Sequence, residues 1–164
     1  SKIFARFKGA GTKIVNLSNQ FMPDHECGET GLQDLASSII DCLNKSCNWV
    51  VWLDGPMGAG KTTLVRYILR ELGLSEDEPV LSPTYTLINE YDVDGLWYAH
   101  MDLYRAETNF NFDELGLDFR KYKGFFVEWP EAPGEDETIL PTHKIAISYS
   151  GDHRRRYQFS DIVR

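Results

Sequence analysis

Cysteine is scarce in this sequence, and where it occurs it is not arranged for metal or disulfide chemistry. Cys27, Cys42 and Cys47 are odd in number and show no C-x-x-C spacing, which disfavours both a disulfide framework and a thiolate zinc site. Reduced structural or surface thiols are expected, and they fit a reducing, cytoplasmic setting. No apolar run approaches the ~20 residues that a membrane-spanning helix needs, and no signal-peptide pattern opens the chain. No membrane partner is therefore expected. Positive charge is short as well. Seventeen Lys and Arg stand against 25 Asp and Glu, a formal net charge of −8. That balance argues against broad electrostatic binding of nucleic acid by this chain alone, though not against contact through a partner or a local patch. Internal repeats and low-complexity stretches are lacking. What remains is an ordinary globular composition, 42% hydrophobic and 26% charged over 164 residues, enough for one domain with its own core. A single domain over 1–164 is expected, with residues 1–12 as a flexible arm.

Against this background one stretch stands out. Gly55-Pro56-Met57-Gly58-Ala59-Gly60-Lys61-Thr62 reads G-x-x-x-x-G-K-T, the phosphate-binding P-loop pattern. Trp49-Val50-Val51-Trp52-Leu53 before it is a short apolar run of the kind that forms a buried strand. After it, Leu64, Val65, Ile68, Leu69 and Leu72 recur at helical spacing over 63–72. Polyphosphate needs many donors close to its oxygens. Glycines let the backbone aim its N–H groups inward, and the following helix adds free N–H groups and the positive end of its dipole. Lys61 is expected to reach the β- and γ-phosphates, and the Thr62 hydroxyl to ligate Mg²⁺.

The rest of the chain supplies a helix over 24–44 with the apolar stripe Leu32, Leu35, Ala36, Ile39, Ile40 and Leu43, its first turn weakened by Gly28 and Gly31, which allows a true start near Glu29 or Thr30. An edge strand over 13–17 precedes it. Gly73 caps the helix that follows the P-loop. Ser82-Pro83-Thr84-Tyr85-Thr86 packs three hydroxyls around a proline; it is either a turn opening a strand or a segment that approaches a γ-phosphate and its metal. A hairpin with an Asp94-Gly95 turn follows over 87–101, and Asp102 closes its second strand. An acidic residue there is a turn or N-cap residue, or the carboxylate that holds Mg²⁺ or orients water downstream of a P-loop. Short helical turns are read over 111–115 and 119–122. Phe125 to Glu128 is a buried strand ending in a second carboxylate, where ligands collect in open α/β sheets. Residues 144–150 and 154–159 suggest a closing hairpin. Arg154-Arg155-Arg156 is a solvated run, or one arginine faces a nucleotide. His100 shares strand parity with Tyr98 and Asp102 and reads as a satisfied structural histidine. Trp129 reads as packing. Asn44-Lys45 and Asp113-Glu114-Leu115-Gly116 echo guanine-nucleotide motifs, but the first lacks its Asp and precedes the P-loop, and no strong apolar strand leads into the second.

Four blocks in order, GPMGAGKTT from Gly55, SPTYTL from Ser82, HMDLYR from His100 and EWP from Glu128, together resemble the TsaE (YjeE) family of bacterial ATPases that serve N6-threonylcarbamoyladenosine synthesis on tRNA. The resemblance implies an α/β, P-loop NTPase-like fold: a central, mostly parallel sheet with antiparallel hairpins, flanked by helices. It implies ATP and Mg²⁺ as ligands, slow hydrolysis, and a heteromeric complex with TsaD and TsaB through which tRNA is met indirectly. Carried over position by position, it implies phosphate and nucleotide contacts from Thr30, Pro56, Met57, Gly58, Ala59, Gly60, Lys61, Thr62, Thr63 and Arg154. It implies Mg²⁺ on Thr62 and Glu128, a γ-phosphate-sensing segment that includes Thr84, and Asp102 as the acidic residue required for hydrolysis. Pro56 and Met57 stand where the family has Asp-Leu; the donors that matter lie later in the loop, so an effect on partner contact is expected rather than loss of binding.

The expected chemistry is phosphoryl transfer from Mg·ATP to water. No residue pattern supplies an in-cis arginine finger, so a low intrinsic rate that rises in a complex is expected. Two rivals share the P-loop: a small-molecule or nucleoside kinase, which needs an acceptor pocket and an arginine-rich lid, and a nucleotide-gated binding module whose hydrolysis is incidental.

Overall fold

The computed structural model describes residues 18–19, 22–45, 47–106, 115–130 and 140–162. The expected arm over 1–12, the edge strand over 13–17, nearly all of the helical turn over 111–115 and the acidic run 135–137 lie outside them. In chain order the elements are β1 (Ser18–Asn19), β2 (His25–Cys27), α1 (Leu32–Leu43), β3 (Trp49–Asp54), α2 (Lys61–Leu72), β4 (Ile88–Val93), β5 (Leu96–Asp102), β6 (Tyr122–Glu128), β7 (His143–Gly151) and β8 (Arg154–Ile162). Short 3₁₀ turns at Glu29–Gly31 and Phe119–Lys121 lead into α1 and β6.

One sheet runs in the order β1-β8-β7-β3-β6-β5-β4, with β2 also paired to β8. Its centre is parallel: β3 pairs with β6 and β7, and β5 pairs with β6. The hairpins β4–β5 and β7–β8 make the flanks antiparallel. The mixed sheet agrees with the expected α/β class. β3 is buried almost throughout, as a strand covered on both faces must be. Its alternate side chains feed two cores. Trp49, Val51 and Leu53 pack with α1 and α2, through Leu35, Ile39, Leu64 and Ile68. Val50, with Trp52 packed alongside, faces Met101, Phe125 and Val127, a layer closed by Leu115, Leu117 and Phe119. Both described α-helices thus cover the same face of the sheet.

The helix expected over 24–44 requires correction. His25–Cys27 is extended and pairs antiparallel with β8, Cys27 opposite Arg155. Gly28 continues the extended path at φ −89° and ψ −171°, and the α-helix begins only at Leu32, where the apolar period starts. Leu32, Leu35, Ala36, Ile39 and Leu43 are buried; before Leu32 no stripe holds a helix to the sheet. β6 also starts earlier than expected, at Tyr122 rather than Phe125.

Trp49 shapes the first core. Its ring packs edge-on against Phe126 with centroids 5.0 Å apart and lies tilted to Tyr98 at 5.8 Å. The ring fits because Gly124 opposes it across the β3–β6 pair; a Cβ on Gly124 would enter the indole itself. Gly124→Ala is therefore expected to lower stability by about 1–3 kcal/mol, the usual range for overpacking. The urea midpoint would fall at unchanged slope; an unshifted midpoint would mean that the indole yields freely.

A second consequence concerns acid. His143 opens β7, is buried, and has its pKa pushed below the ordinary 6.5 by desolvation, with Asp161 opposing the shift. The folded chain thus holds the ring neutral where the unfolded chain would protonate it. Stability is complete above the unfolded value and falls as pH drops through it, since the unfolded state binds the extra proton. Urea titrations at pH 7.5 and about 5.5 should show a shallower acid loss for His143→Gln than for the parent.

Candidate functional site

The three carboxyl ends of β3, β5 and β6 meet at one edge, because the parallel registers place Leu53 beside Glu128 and Asp102 beside Glu128. The loop 55–60 leaves β3 there and enters α2. Gly60 stands at its end with φ +100°, a left-handed conformation that favours glycine, and among the described residues nothing beyond its own chain neighbours lies within 4 Å of the point where a Cβ would sit. The loop closes on itself through the Ala59 amide, which donates to Pro56 O at 3.0 Å. Met57 is exposed and Ala59 buried.

Lys61 begins α2 and is only 5% exposed. Its ammonium donates to Gly55 O at 2.7 Å and Pro56 O at 3.1 Å and sits 4.1 Å from the centroid of the Trp129 ring. Burial lowers its pKa, while Glu128, Asp102 and Asp54 oppose the shift, as nearby carboxylates favour the charged form of a buried ammonium. Thr62 donates its hydroxyl to Glu128 Oε1 at 2.7 Å. Thr63 follows on α2, half-buried.

Asp102, 2% exposed, has a full set of donors. Its Oδ2 accepts from Ser82 Oγ at 2.9 Å and Thr84 Oγ1 at 2.6 Å, and its Oδ1 from the Tyr104 amide at 2.9 Å. The hydroxyl segment of 82–86 is thereby tied to the end of β5. Two non-glycine residues nearby take positive φ, Leu87 at 66° and Trp129 at 55°. Leu87 O accepts from the Asp102 amide at 3.1 Å, and Trp129 follows Glu128 directly. Such backbone costs about 1–3 kcal/mol a residue and persists only where surroundings enforce it. Tyr85 is 84% exposed, with the Arg105 guanidinium 4.6 Å from its ring.

The structure thus brings together Lys61, Thr62, Glu128, Asp102, Thr84 and the loop Pro56–Gly60. Thr30 lies apart in chain and element, exposed on the turn before α1; its neighbour Glu29 reaches Arg66 of α2 at 4.0 Å. Arg154 does not turn to the loop. It donates to Glu26 O at 2.9 Å and to Glu26 Oε1 at 3.3 Å, and Arg156 joins the same carboxylate at 3.4 Å. Arg155, on the opposite face of β8, is the arginine at the P-loop: its Nε donates to Ala59 O at 3.2 Å, and its guanidinium stacks 4.2 Å from the Tyr149 ring. Strand alternation carried this signal, since Arg155 shares parity with the buried Tyr157 and Phe159. His100, expected as a satisfied structural histidine on the face of Asp102, is fully buried with Nε2 2.8 Å from Glu128 Oε1, while its Nδ1 has no partner among the described residues.

The donor set fits a hard, oxygen-seeking cation that brings its own oxygens. Among the described residues no three His, Cys, Asp or Glu converge on one point. A threonine hydroxyl and one carboxylate do meet beside an open glycine loop, which is the sparse protein contribution Mg²⁺ takes when phosphates complete its shell.

A glycine loop between a buried parallel strand and a helix, with carboxylates ending the adjacent strand β6 and the next one, β5, defines a P-loop NTPase-like α/β protein. The chain belongs to the TsaE family: the family model described as "Threonylcarbamoyl adenosine biosynthesis protein TsaE" matches residues 28–158. Relatives named tRNA threonylcarbamoyladenosine biosynthesis protein TsaE include one from Nostoc, 53% identical over 120 residues that cover 68% of this chain and 69% of the relative. Another, from Bacillus subtilis, is 37% identical over 117 residues, covering 69% and 70%. In the Haemophilus influenzae relative, 37% identical over 106 residues, the match spans 60% of this chain and 61% of that protein, under two thirds of its length. The crystal structure of Bacillus subtilis YdiB superposes with a TM-score of 0.67 at 26% identity, covering 90% of this chain and 89% of that one. No described helix is long and apolar enough to cross a membrane.

The different attachments of Arg154 and Arg155 separate in amide exchange. Arg155→Ala should speed exchange across the 55–60 loop several-fold, as a lost tether does for a loop held by few contacts. Arg154→Ala should leave that loop unchanged and speed exchange over His25–Cys27 instead. Equal effects of both variants on the loop would contradict the alternation.

Proposed function

We propose that this chain is a Mg²⁺-dependent ATPase that binds and hydrolyses ATP in support of threonylcarbamoyladenosine synthesis on tRNA, acting in the cytoplasm with TsaD- and TsaB-like partners. One observation carries the reading: Thr62 and Glu128, 66 residues apart in sequence, are joined at 2.7 Å beside a buried Lys61. A hydroxyl and a carboxylate in that relation to a P-loop lysine serve phosphate-bound Mg²⁺. Family membership supports the pathway.

Each residue has a physical task. The loop amides and the α2 N-terminus bind phosphate oxygens. Lys61 leaves Gly55 O and Pro56 O to meet the β- and γ-phosphates, and its charge is most favourable where negative charge grows during transfer. Thr62 and Glu128 hold magnesium, which when bound neutralises phosphate charge. Asp102 orients the attacking water, and Ser82 and Thr84 couple its carboxylate to the segment that meets the γ-phosphate. Arg155 stiffens the loop from outside. It supports the Ala59 carbonyl and leaves the space above Gly60 open. Tyr85 and Arg105, exposed on the segment joined to Asp102, offer a partner a handle on that carboxylate, and a partner that orders the segment raises the rate.

The test is ATP turnover by the chain alone and with the TsaD–TsaB pair. Lys61→Ala should lower partner-stimulated turnover by about 10²–10³-fold, the scale of losing one preorganised charge stabiliser. Equal turnover by Lys61→Ala and the parent in the partner assay would refute the mechanism. Product analysis that found a phosphorylated small molecule instead of free phosphate would move the chain to the kinases.

A further inference from the structure

His100 has no assigned task, and its surroundings do not suit a residue kept for packing. It lies in the middle of β5, entirely shielded from solvent. One ring nitrogen, Nδ1, is buried with no hydrogen-bond partner among the described residues. An apolar side chain would fill the same space without leaving a polar atom unmatched. The other nitrogen, Nε2, lies 2.8 Å from Glu128 Oε1. An ionised carboxylate only accepts, so Nε2 carries the proton and donates.

That same oxygen takes the Thr62 hydroxyl at 2.7 Å. Both donors fall on Oε1, leaving Oε2 without a hydrogen bond among the described residues. Glutamate has one more rotatable bond than aspartate, and a carboxylate on so long a stem does not hold one orientation unaided. The β5–β6 register supplies the second fixing point. Asp102 pairs opposite Glu128 and His100 opposite Phe126, so His100 reaches Glu128 along the diagonal of the same sheet face. Thr62 fixes the carboxylate from α2, and His100 fixes it from β5.

From this geometry we infer that His100 is a positioning residue that locks the Glu128 carboxylate by Oε1 and so presents Oε2 to the cation of the Mg·nucleotide. This rests on the proposed role of Glu128, and the inference concerns how that role is sustained. Partners that orient a ligating carboxylate are worth about 10–100-fold in metal affinity, and His100 is assigned an effect of that size.

The experiment measures ATP binding with excess Mg²⁺ and again in EDTA, by calorimetry, together with the Mg²⁺ concentration for half-maximal turnover. Three variants are compared with the parent: His100→Leu, which has no donor; His100→Gln, whose amide nitrogen falls near the place of Nε2; and His100→Asn, whose shorter amide falls near Nδ1. Leu and Asn should raise the half-maximal Mg²⁺ concentration about 10–100-fold and leave binding in EDTA at the parent level, while Gln should recover most of the loss. Equal weakening with and without Mg²⁺ would make His100 a structural residue and overturn the inference. So would unchanged Mg²⁺ dependence in Leu, or a Gln variant no better than Asn. If His100→Leu does not fold, Gln against Asn decides alone. A parent whose ATP binding ignores Mg²⁺ altogether would overturn the metal role of Glu128 as well, an outcome separate from a His100 effect that fails in a Mg²⁺-dependent parent.

Discussion

A single carboxylate oxygen, Glu128 Oε1, accepts hydrogen bonds from Thr62 at the start of α2 and from His100 on β5. Three elements that are distant in sequence are pinned at that atom. The bond is possible because β6 lies between β3 and β5 in a parallel sheet, so that the P-loop leaves one neighbour of Glu128 and Asp102 ends the other. Moving β6 by one residue would turn Glu128 to the opposite face and separate it from both donors. The apolar side chains of β6 resist that shift, since Phe126 packs under Trp49 and α2 while Phe125 and Val127 pack in the other core. The packing of two cores thus sets the position of one oxygen.

The electrostatics follow from the same crowding. Lys61, Asp102 and Glu128 are all buried, two negative groups to one positive, with Asp54 beyond. Burial pushes the Lys61 pKa down, and the carboxylates oppose this. Each carboxylate is in turn supported by neutral donors: hydroxyls and an amide at Asp102, a hydroxyl and an imidazole at Glu128. Lys61 itself donates to loop carbonyls, which are weaker partners than phosphate oxygens. Under the proposed function, Lys61 exchanges these carbonyls for phosphate oxygens.

How much of this could be read in the sequence depends on how local each feature is. The P-loop is contiguous, its flanking strand and helix carry their own periodicity, and both elements lie where expected. Trp49–Leu53 and the hairpin through Asp94-Gly95 were legible for the same reason. His25–Cys27 was not: three residues hold no period, and the strand exists because β8, some 130 positions later, offers an edge. The arginine run was ambiguous as composition but not as geometry, because strand alternation separates Arg155 from Arg154 and Arg156 once Tyr157 and Phe159 are seen to point inward. The tie between His100 and Glu128 left no sequence trace. It depends on which strands are neighbours, and only the folded sheet determines that.

The strained backbone lies where these constraints converge. Leu87 ends the hydroxyl segment and holds the Asp102 amide through its carbonyl, and Trp129 leaves Glu128 to cover Lys61. Both adopt positive φ without being glycine. Each connects a residue of the buried site to one that solvent reaches, Tyr85 on one side and Tyr104 on the other, the latter's ring tilted against Trp129 with centroids 5.0 Å apart. Strain of this kind persists only where the surroundings enforce it, here through the Asp102 amide at Leu87 and the Lys61 contact at Trp129. Under the proposed function, the two strained residues lie between the phosphate site and the exposed rings that a partner can reach.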